Sequence, residues 1–140
     1  MRIILGSASP RRRELLAGLD VEFSVDTQNN FVESFEPGTK PEDVPVLMAR
    51  GKSLGFHRAL EPDELLITSD TVVICPDGQA IGKPHSREEA VQMLRRLSGR
   101  THTVVTAVCF RTADHPADPT ASHPSAPAAD PATGPIDIVT

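Results

Sequence analysis

The sequence predicts an α/β fold in which short apolar strands alternate with amphipathic helices and a hairpin adds antiparallel pairing. Three observations carry this. Ile3-Ile4-Leu5 and the run Leu65–Ile74 are short, apolar and rich in β-branched residues, as strands buried on both faces are. Capped helical segments lie between and after them, opened by Ser9-Pro10 and by Ser86 with Glu89 three residues on. Pro76-Asp77-Gly78 then supplies a turn that folds Ala80-Ile81-Gly82 back on the preceding strand.

In chain order, Met1–Leu5 is a strand and Gly6-Ser7-Ala8-Ser9 a loop of small residues. Ser9 suits a helix N-cap and Pro10 the first helical position. A helix follows with Leu15, Leu16 and Leu19 as its apolar stripe, and Gly18 and Asp20 mark its end. Val21–Val25 alternates and reads as a half-exposed strand. Residues 26–42 are loop, with Asn29-Asn30, Pro37-Gly38 and Pro41 as breakers. Residues 42–60 read as a helix that tolerates Pro45 only in its first turn. Its stripe is Leu47, Met48, Gly51, Leu54 and Gly55, and the two glycines point to close packing or a weak helix. After the Leu65–Ile74 strand and its hairpin, Ser86 opens a helix that buries Ala90, Met93, Leu94 and Leu97. Gly99 stops it at a left-handed position. Thr101–Phe110 is apolar on both faces and reads as an interior strand. From residue 113 the composition turns to Pro, Ala, Asp, Ser and Thr without periodicity. Residues 113–140 therefore read as a disordered tail, in which Ile136–Val139 has the pattern of a strand start.

Composition excludes several functions. The 140 residues carry 4% aromatics with no Trp or Tyr, which argues against base-stacking platforms for single-stranded nucleic acid. A net charge of −5 leaves no global basic field for a polyanion, so no nucleic-acid partner is expected. The five histidines and two cysteines show no zinc spacing, and Cys75 and Cys109 read as reduced core residues, with a disulfide as the alternative. No segment approaches the roughly 18 apolar residues of a membrane span, and the N-terminus lacks a signal-peptide pattern. A soluble cytoplasmic protein without membrane partners is the expectation.

Two features point to chemistry. Asp70 is an acid inside an apolar strand, where an ionised carboxylate is costly unless paired, hydrogen-bonded or metal-bound. A bond to Thr68 or Thr71, or a solvated strand end, would satisfy it; so would a catalytic site. Arg11, Arg12 and Arg13 crowd the first turn of a helix, opposing the macrodipole at a cost of about a few tenths of a kcal/mol each. With the free N–H groups there they form an anion site that a phosphate would stabilise. The alternatives are a solvated charged turn or a small basic patch on a nucleic acid. Lys52 sits beside the stripe of its helix and either snorkels or reaches a site. Glu33 is a loop acid between Phe31 and Phe35 whose default is solvation.

Gly6-Ser7-Ala8-Ser9-Pro10-Arg11-Arg12-Arg13-Glu14-Leu15-Leu16 together with Thr68-Ser69-Asp70-Thr71-Val72-Val73, Gly82-Lys83-Pro84 and Leu97-Ser98-Gly99-Arg100-Thr101-His102-Thr103-Val104 resembles the Maf family of nucleoside triphosphate pyrophosphatases. The resemblance covers about residues 1–112, in motif order. It implies an ITPase-like α/β fold with a mixed sheet and two lobes around a cleft. It implies hydrolysis of dTTP, UTP or modified nucleotides between the α and β phosphates, with a divalent cation, Mg²⁺ or in its place Mn²⁺. By motif position, Asp70 is the catalytic acid that accepts the proton of the attacking water. Arg11 and Arg12 contact phosphates, as do Ser7 and Ser9 of the same loop. Thr71 marks the dTTP/UTP branch. Lys52 and Lys83 line the cleft, and Glu33 joins Asp70 as a carboxylate for the metal. A homodimer is expected by the same resemblance.

The sequence also departs from the family. Gly51 stands where an acid usually precedes the lysine, and Ser69 replaces a common Ala. Family members continue past residue 112 with further sheet and helix, so residues 1–112 correspond to the N-terminal portion of the domain, with an incomplete second lobe. The alternative function is thus an impaired relative that only binds nucleotide phosphates or a partner.

Overall fold

A computed structural model describes residues 1–114 and, as backbone, the segment 135–139. The expected disorder of the tail falls almost wholly on residues outside this description. The described chain forms six strands and three helices: β1 (Arg2–Leu5), α1 (Pro10–Ala17), β2 (Phe23–Val25), α2 (Val44–Leu54), β3 (Glu64–Ile74), β4 (Ala80–Ile81), α3 (Arg87–Leu97), β5 (Thr103–Thr112) and β6 (Pro135–Val139). A 3₁₀ turn, Pro41–Asp43, leads into α2. They build one mixed sheet in the order β2-β1-β3-β5-β6, with β4 attached to the end of β3. The α/β class and mixed sheet are as the sequence implies.

β3 is the axis of this sheet. Its first residues pair in parallel with β1, Arg2 opposite Glu64 through Leu5 opposite Ile67. Along its length it pairs antiparallel with β5, and its last two residues pair with β4. β1 therefore stops at the level of Ile67, and β3 runs on past it through Asp70. A crevice beyond the carboxyl end of a parallel strand is where α/β sheets present their sites. The Gly6–Ser9 loop and the start of α1 lie at that end, tied down by the Gly6 amide donating to the Ile67 carbonyl at 2.8 Å.

The core lies between the sheet and α2. Val46 and Ala49 of α2 pack on Ala107 and Cys109 of β5. Ile4, Leu66 and Phe56 form a second cluster, and Val72, Ile74 and Val105 a third. Within this layer the fully buried Thr68 hydroxyl donates to the Ala49 carbonyl at 2.7 Å, joining β3 to α2. Both cysteines are buried free thiols, as expected. Burial raises the Cys109 thiol pKa, because a thiolate loses its hydration there.

The local sequence signals are realised in the structure. The Ser9 hydroxyl caps α1 by accepting from the Arg12 amide, with Pro10 at the first position. The Pro76–Gly78 turn closes the hairpin with Gly78 at φ 86°, and Gly99 sits at φ 71° after α3. β5 is interior, between β3 and β6, and the Ile136–Val139 pattern does belong to a strand.

Face assignments needed correction. α2 ends at Leu54 rather than 60, and its buried face is Val44, Pro45, Val46, Met48, Ala49 and Ser53. Leu47 and Leu54, expected inside, are exposed, because both sheet strands lie on the Val46–Ala49 side of the helix. α1 buries no residue, and Leu15 and Leu19 face outward. Its apolar stripe does not meet the sheet; the helix is held by its loop and by Arg12 instead. In α3, Leu94 is exposed while Ala90, Met93 and Leu97 are half-buried.

Candidate active site

Asp70 projects from the same face of β3 as Leu66, Thr68 and Val72, toward α2. Its carboxylate is answered by Lys52, whose Nζ lies 3.0 Å from Asp70 Oδ1 and 3.2 Å from Glu33 Oε1. The same Nζ approaches the Ser69 carbonyl at 3.4 Å. The two contacts differ in strength. Lys52 and Asp70 are each about one-fifth exposed, whereas Glu33 is 62% exposed. Solvent-screened pairs of the second kind contribute about 0–1 kcal/mol, so Asp70 is the partner that holds Lys52. Of the two expectations for Lys52, reaching a site is the one realised.

Arg12 is fixed from the other side. Its Nη1 donates to Ser7 Oγ at 3.3 Å and to the Ser69 carbonyl at 3.2 Å. Its Nη2 donates to Thr71 Oγ1 at 3.0 Å, which shares a hydrogen with Thr106 Oγ1 at 2.9 Å. Burial lowers the Arg12 pKa from its usual range, and the Asp70 charge counters that fall. A guanidinium clamped on three acceptors is preorganised, which reduces the ordering cost of binding an anion.

These groups line one cleft. A cavity of about 630 Å³ runs from Ser9, Arg12, Lys52, Asp70 and Lys83 at one end to Met48, Val72, Ile81 and Met93 at the other. A smaller one of about 390 Å³, lined by the Gly6–Pro10 loop, shares Ser9, Arg12, Glu33, Lys52 and Lys83 with it. The size matches small-molecule sites, which run to several hundred Å³. Ser7, Ser9, Arg12, Glu33, Lys52, Asp70, Thr71 and Lys83 are thus brought together as the sequence suggested. Arg11 is not: it is exposed beside Glu14, 3.7 Å away, outside both cavities. Helical spacing turns consecutive arginines about 100° apart, so only one of them faces Ser69.

A loop clamp holds Glu33 near the site, and sequence reasoning missed it. Asn29 Nδ2 donates to the Lys52 carbonyl at 2.6 Å, while its Oδ1 accepts from the Phe31 amide at 2.8 Å. The Asn30 amide donates to the Gly55 carbonyl at 2.8 Å. The Phe31 ring lies across Gly51 in the space a Cβ would occupy, and Asn29 and Phe31 press on Gly55 likewise. The paired glycines were the only signal of this docking. Further along, the His57 ring lies 2.7 Å from Asp26 Oδ2, and that hydrogen bond lowers the Asp26 pKa. Phe35, His85, Glu89 and Met93 also line the cleft; the sequence pattern gives Met93 only to the apolar face of α3 and Glu89 only to its cap.

Two carboxylates around one cation offer hard oxygen donors. Magnesium is commonly held by one or two carboxylates, with waters and substrate phosphates completing its shell. Asp70 and Glu33 fit that role; no cluster of three or more His, Cys, Asp or Glu that could hold a metal occurs among the described residues. No helix of the described residues is long and apolar enough to cross a membrane.

The chain is 51% identical over 110 residues to a dTTP/UTP pyrophosphatase of Porphyromonas gingivalis, covering 77% of this chain and 55% of that protein. It is 46% identical over 113 residues to a dTTP/UTP pyrophosphatase of Bacillus velezensis, covering 81% and 58%. The chain therefore spans a little over half the length of the curated relatives it matches. A crystal structure of a nucleoside-triphosphatase / dITP/XTP pyrophosphatase from Mycobacterium abscessus superposes over all of this chain and 71% of its own, with a TM-score of 0.52 and 14% identity, a likeness of fold. The model of the Maf-like protein family matches residues 2–126, more than half of the sequence, and the chain belongs to the Maf family.

Proposed function

We propose that this chain carries the catalytic groups of a nucleoside triphosphate pyrophosphatase, which hydrolyses dTTP or UTP to the monophosphate and pyrophosphate. The observation that carries this reading is Lys52 Nζ held between Asp70 and Glu33 beside the clamped Arg12. The names of the relatives from P. gingivalis and B. velezensis support the substrate class.

A triphosphate brings about four negative charges, which need cations at fixed positions. Arg12, Lys52 and Lys83 meet the phosphate chain. Asp70 accepts a proton from a water aligned on the α-phosphorus. The new bond joins the water oxygen to that phosphorus, the bond to the α–β bridging oxygen breaks, and pyrophosphate leaves against Arg12 and Lys83. Asp70 and Glu33 would hold a divalent cation, Mg²⁺ or Mn²⁺, whose chemistry is to polarise the phosphoryl oxygens and lower the pKa of bound water. Lys52 keeps the two carboxylates apart in charge until the phosphates arrive.

The test is pyrophosphate release from dTTP and UTP by the purified chain with Mg²⁺, compared with Asp70→Asn. Loss of a general base costs about 10²–10⁴-fold, and chelation of the metal should stop release. Equal rates for the two proteins would refute the assignment of Asp70. Nucleotide binding with no release by either would replace hydrolysis by a binding role.

A further inference from the structure

The cleft has two chemically different ends. The residues shared by the two adjoining cavities are polar or charged: Ser9, Arg12, Glu33, Lys52 and Lys83. The part belonging to the larger cavity alone adds apolar lining, buried Met48 and Val72 and half-buried Ile81 and Met93, beside the polar Asp70, Thr71 and His85. Two carboxylates line that part: Asp70, paired with Lys52 at 3.0 Å, and Glu89. Glu89 lines the cavity from the first turn of α3 and is anchored twice: its amide donates to Ser86 Oγ at 3.1 Å, and its Oε2 accepts from the His85 amide at 3.1 Å. The expected capping box would return this carboxylate to Ser86; it reaches the His85 amide instead, and Oε1 takes no part in that bond.

From this arrangement we infer that the apolar end of the cleft is the nucleobase subsite and that Glu89 determines which base it takes. The inference rests on the proposed function and adds the recognising group to it. The cations Arg12, Lys52 and Lys83 draw the triphosphate to their end and leave the apolar wall to the flat, weakly polar base. A fixed carboxylate is an acceptor only. It pairs with a ring N–H flanked by carbonyls, as in uracil and thymine. Cytosine presents a ring-nitrogen lone pair at the same position, and two acceptors facing each other repel. Glu89 is therefore a specificity-determining residue that selects bases with an imino N–H.

The experiment measures binding of α,β-imido-UTP, α,β-imido-CTP and inorganic tripolyphosphate to the full chain by titration calorimetry with Mg²⁺; the imido bridge blocks cleavage. Wild type should bind the UTP analogue more tightly than the CTP analogue by about tenfold, the scale of one charge-assisted hydrogen bond. Glu89→Gln retains an acceptor for the His85 amide and adds an N–H₂ donor. It should erase or invert the preference while tripolyphosphate affinity stays within about twofold. Met93→Ser should weaken both nucleotide analogues several-fold and leave tripolyphosphate unchanged. An unchanged UTP/CTP ratio in Glu89→Gln overturns the assignment, as does a Met93→Ser loss shared equally by tripolyphosphate. Failure of wild type to bind any of the three ligands would instead remove the nucleotide reading itself.

Discussion

Replacing Gly55 by Ala tests whether the loop carrying Glu33 is held by close packing on α2. Gly55 has φ −82°, which Ala adopts freely, so any cost arises from space. A Cβ there would lie 2.5 Å from Asn29 Oδ1, 2.7 Å from Phe31 Cβ and 2.8 Å from the Phe31 amide nitrogen. Two of these atoms belong to or adjoin the backbone, so no side-chain rotation relieves the contact and segment 29–31 must move. Overpacking costs about 1–3 kcal/mol. The move also strains the bonds from Asn29 to the Lys52 carbonyl and from Asn30 to the Gly55 carbonyl, about 1 kcal/mol each. Against this, Gly55 lies just past the end of α2, and Ala there stabilises by about 0.4–1 kcal/mol through the less flexible unfolded chain. The net loss is about 3 kcal/mol, or roughly 10 °C in Tm for a domain of this size. Gly51→Ala is the control. The atoms a Cβ would meet there are all at the far edge of the Phe31 ring, which swings aside, and the propensity gain offsets the lost contact. Its stability should stay within about 1 kcal/mol of wild type. Thermal and urea denaturation followed by circular dichroism measure both. The reasoning fails if Gly55→Ala is as stable as wild type, or if Gly51→Ala is the more damaging of the two.

Two further outcomes follow from buried groups. Glu64 is buried and its pKa falls from 4.5 to about 2, first through the Arg58 side-chain bonds at 2.7 and 2.9 Å and then through the Glu61 amide. Its folded pKa is the lower one, so the unfolded chain binds the extra proton. This stability is present above about pH 4.5 and is lost as the pH falls toward 2. Arg58→Met should flatten urea-midpoint profiles across that window, and an unchanged slope would exclude Glu64 as the source. Cys75 and Cys109 are buried and free, so a thiol reagent should label neither in the native protein and both in urea. Rapid native labelling of Cys109 would contradict the packing of Ala107 and Cys109 under α2.

What the sequence determined by itself is what acts within a turn or two of chain. The Ser9 and Ser86 caps, the Pro76–Gly78 hairpin, the left-handed Gly99 and the strand periodicities each depend on one short-range hydrogen bond or one allowed φ. The motif residues of the cleft were legible too, because their order along the chain is distinctive. Only the tertiary structure decided which neighbours those residues have. It chose Arg12 over Arg11, because one rotation about α1 faces the Ser69 carbonyl and the other faces solvent. It turned α2 so that Val46 and Ala49, not Leu47 and Leu54, meet β5. It gave Asp70 its partner in Lys52, 18 residues earlier, and seated Phe31 on Gly51. Periodicity fixes which residues share a face. It does not say which face the sheet will cover, because that follows from strand register and helix docking across segments far apart in the chain.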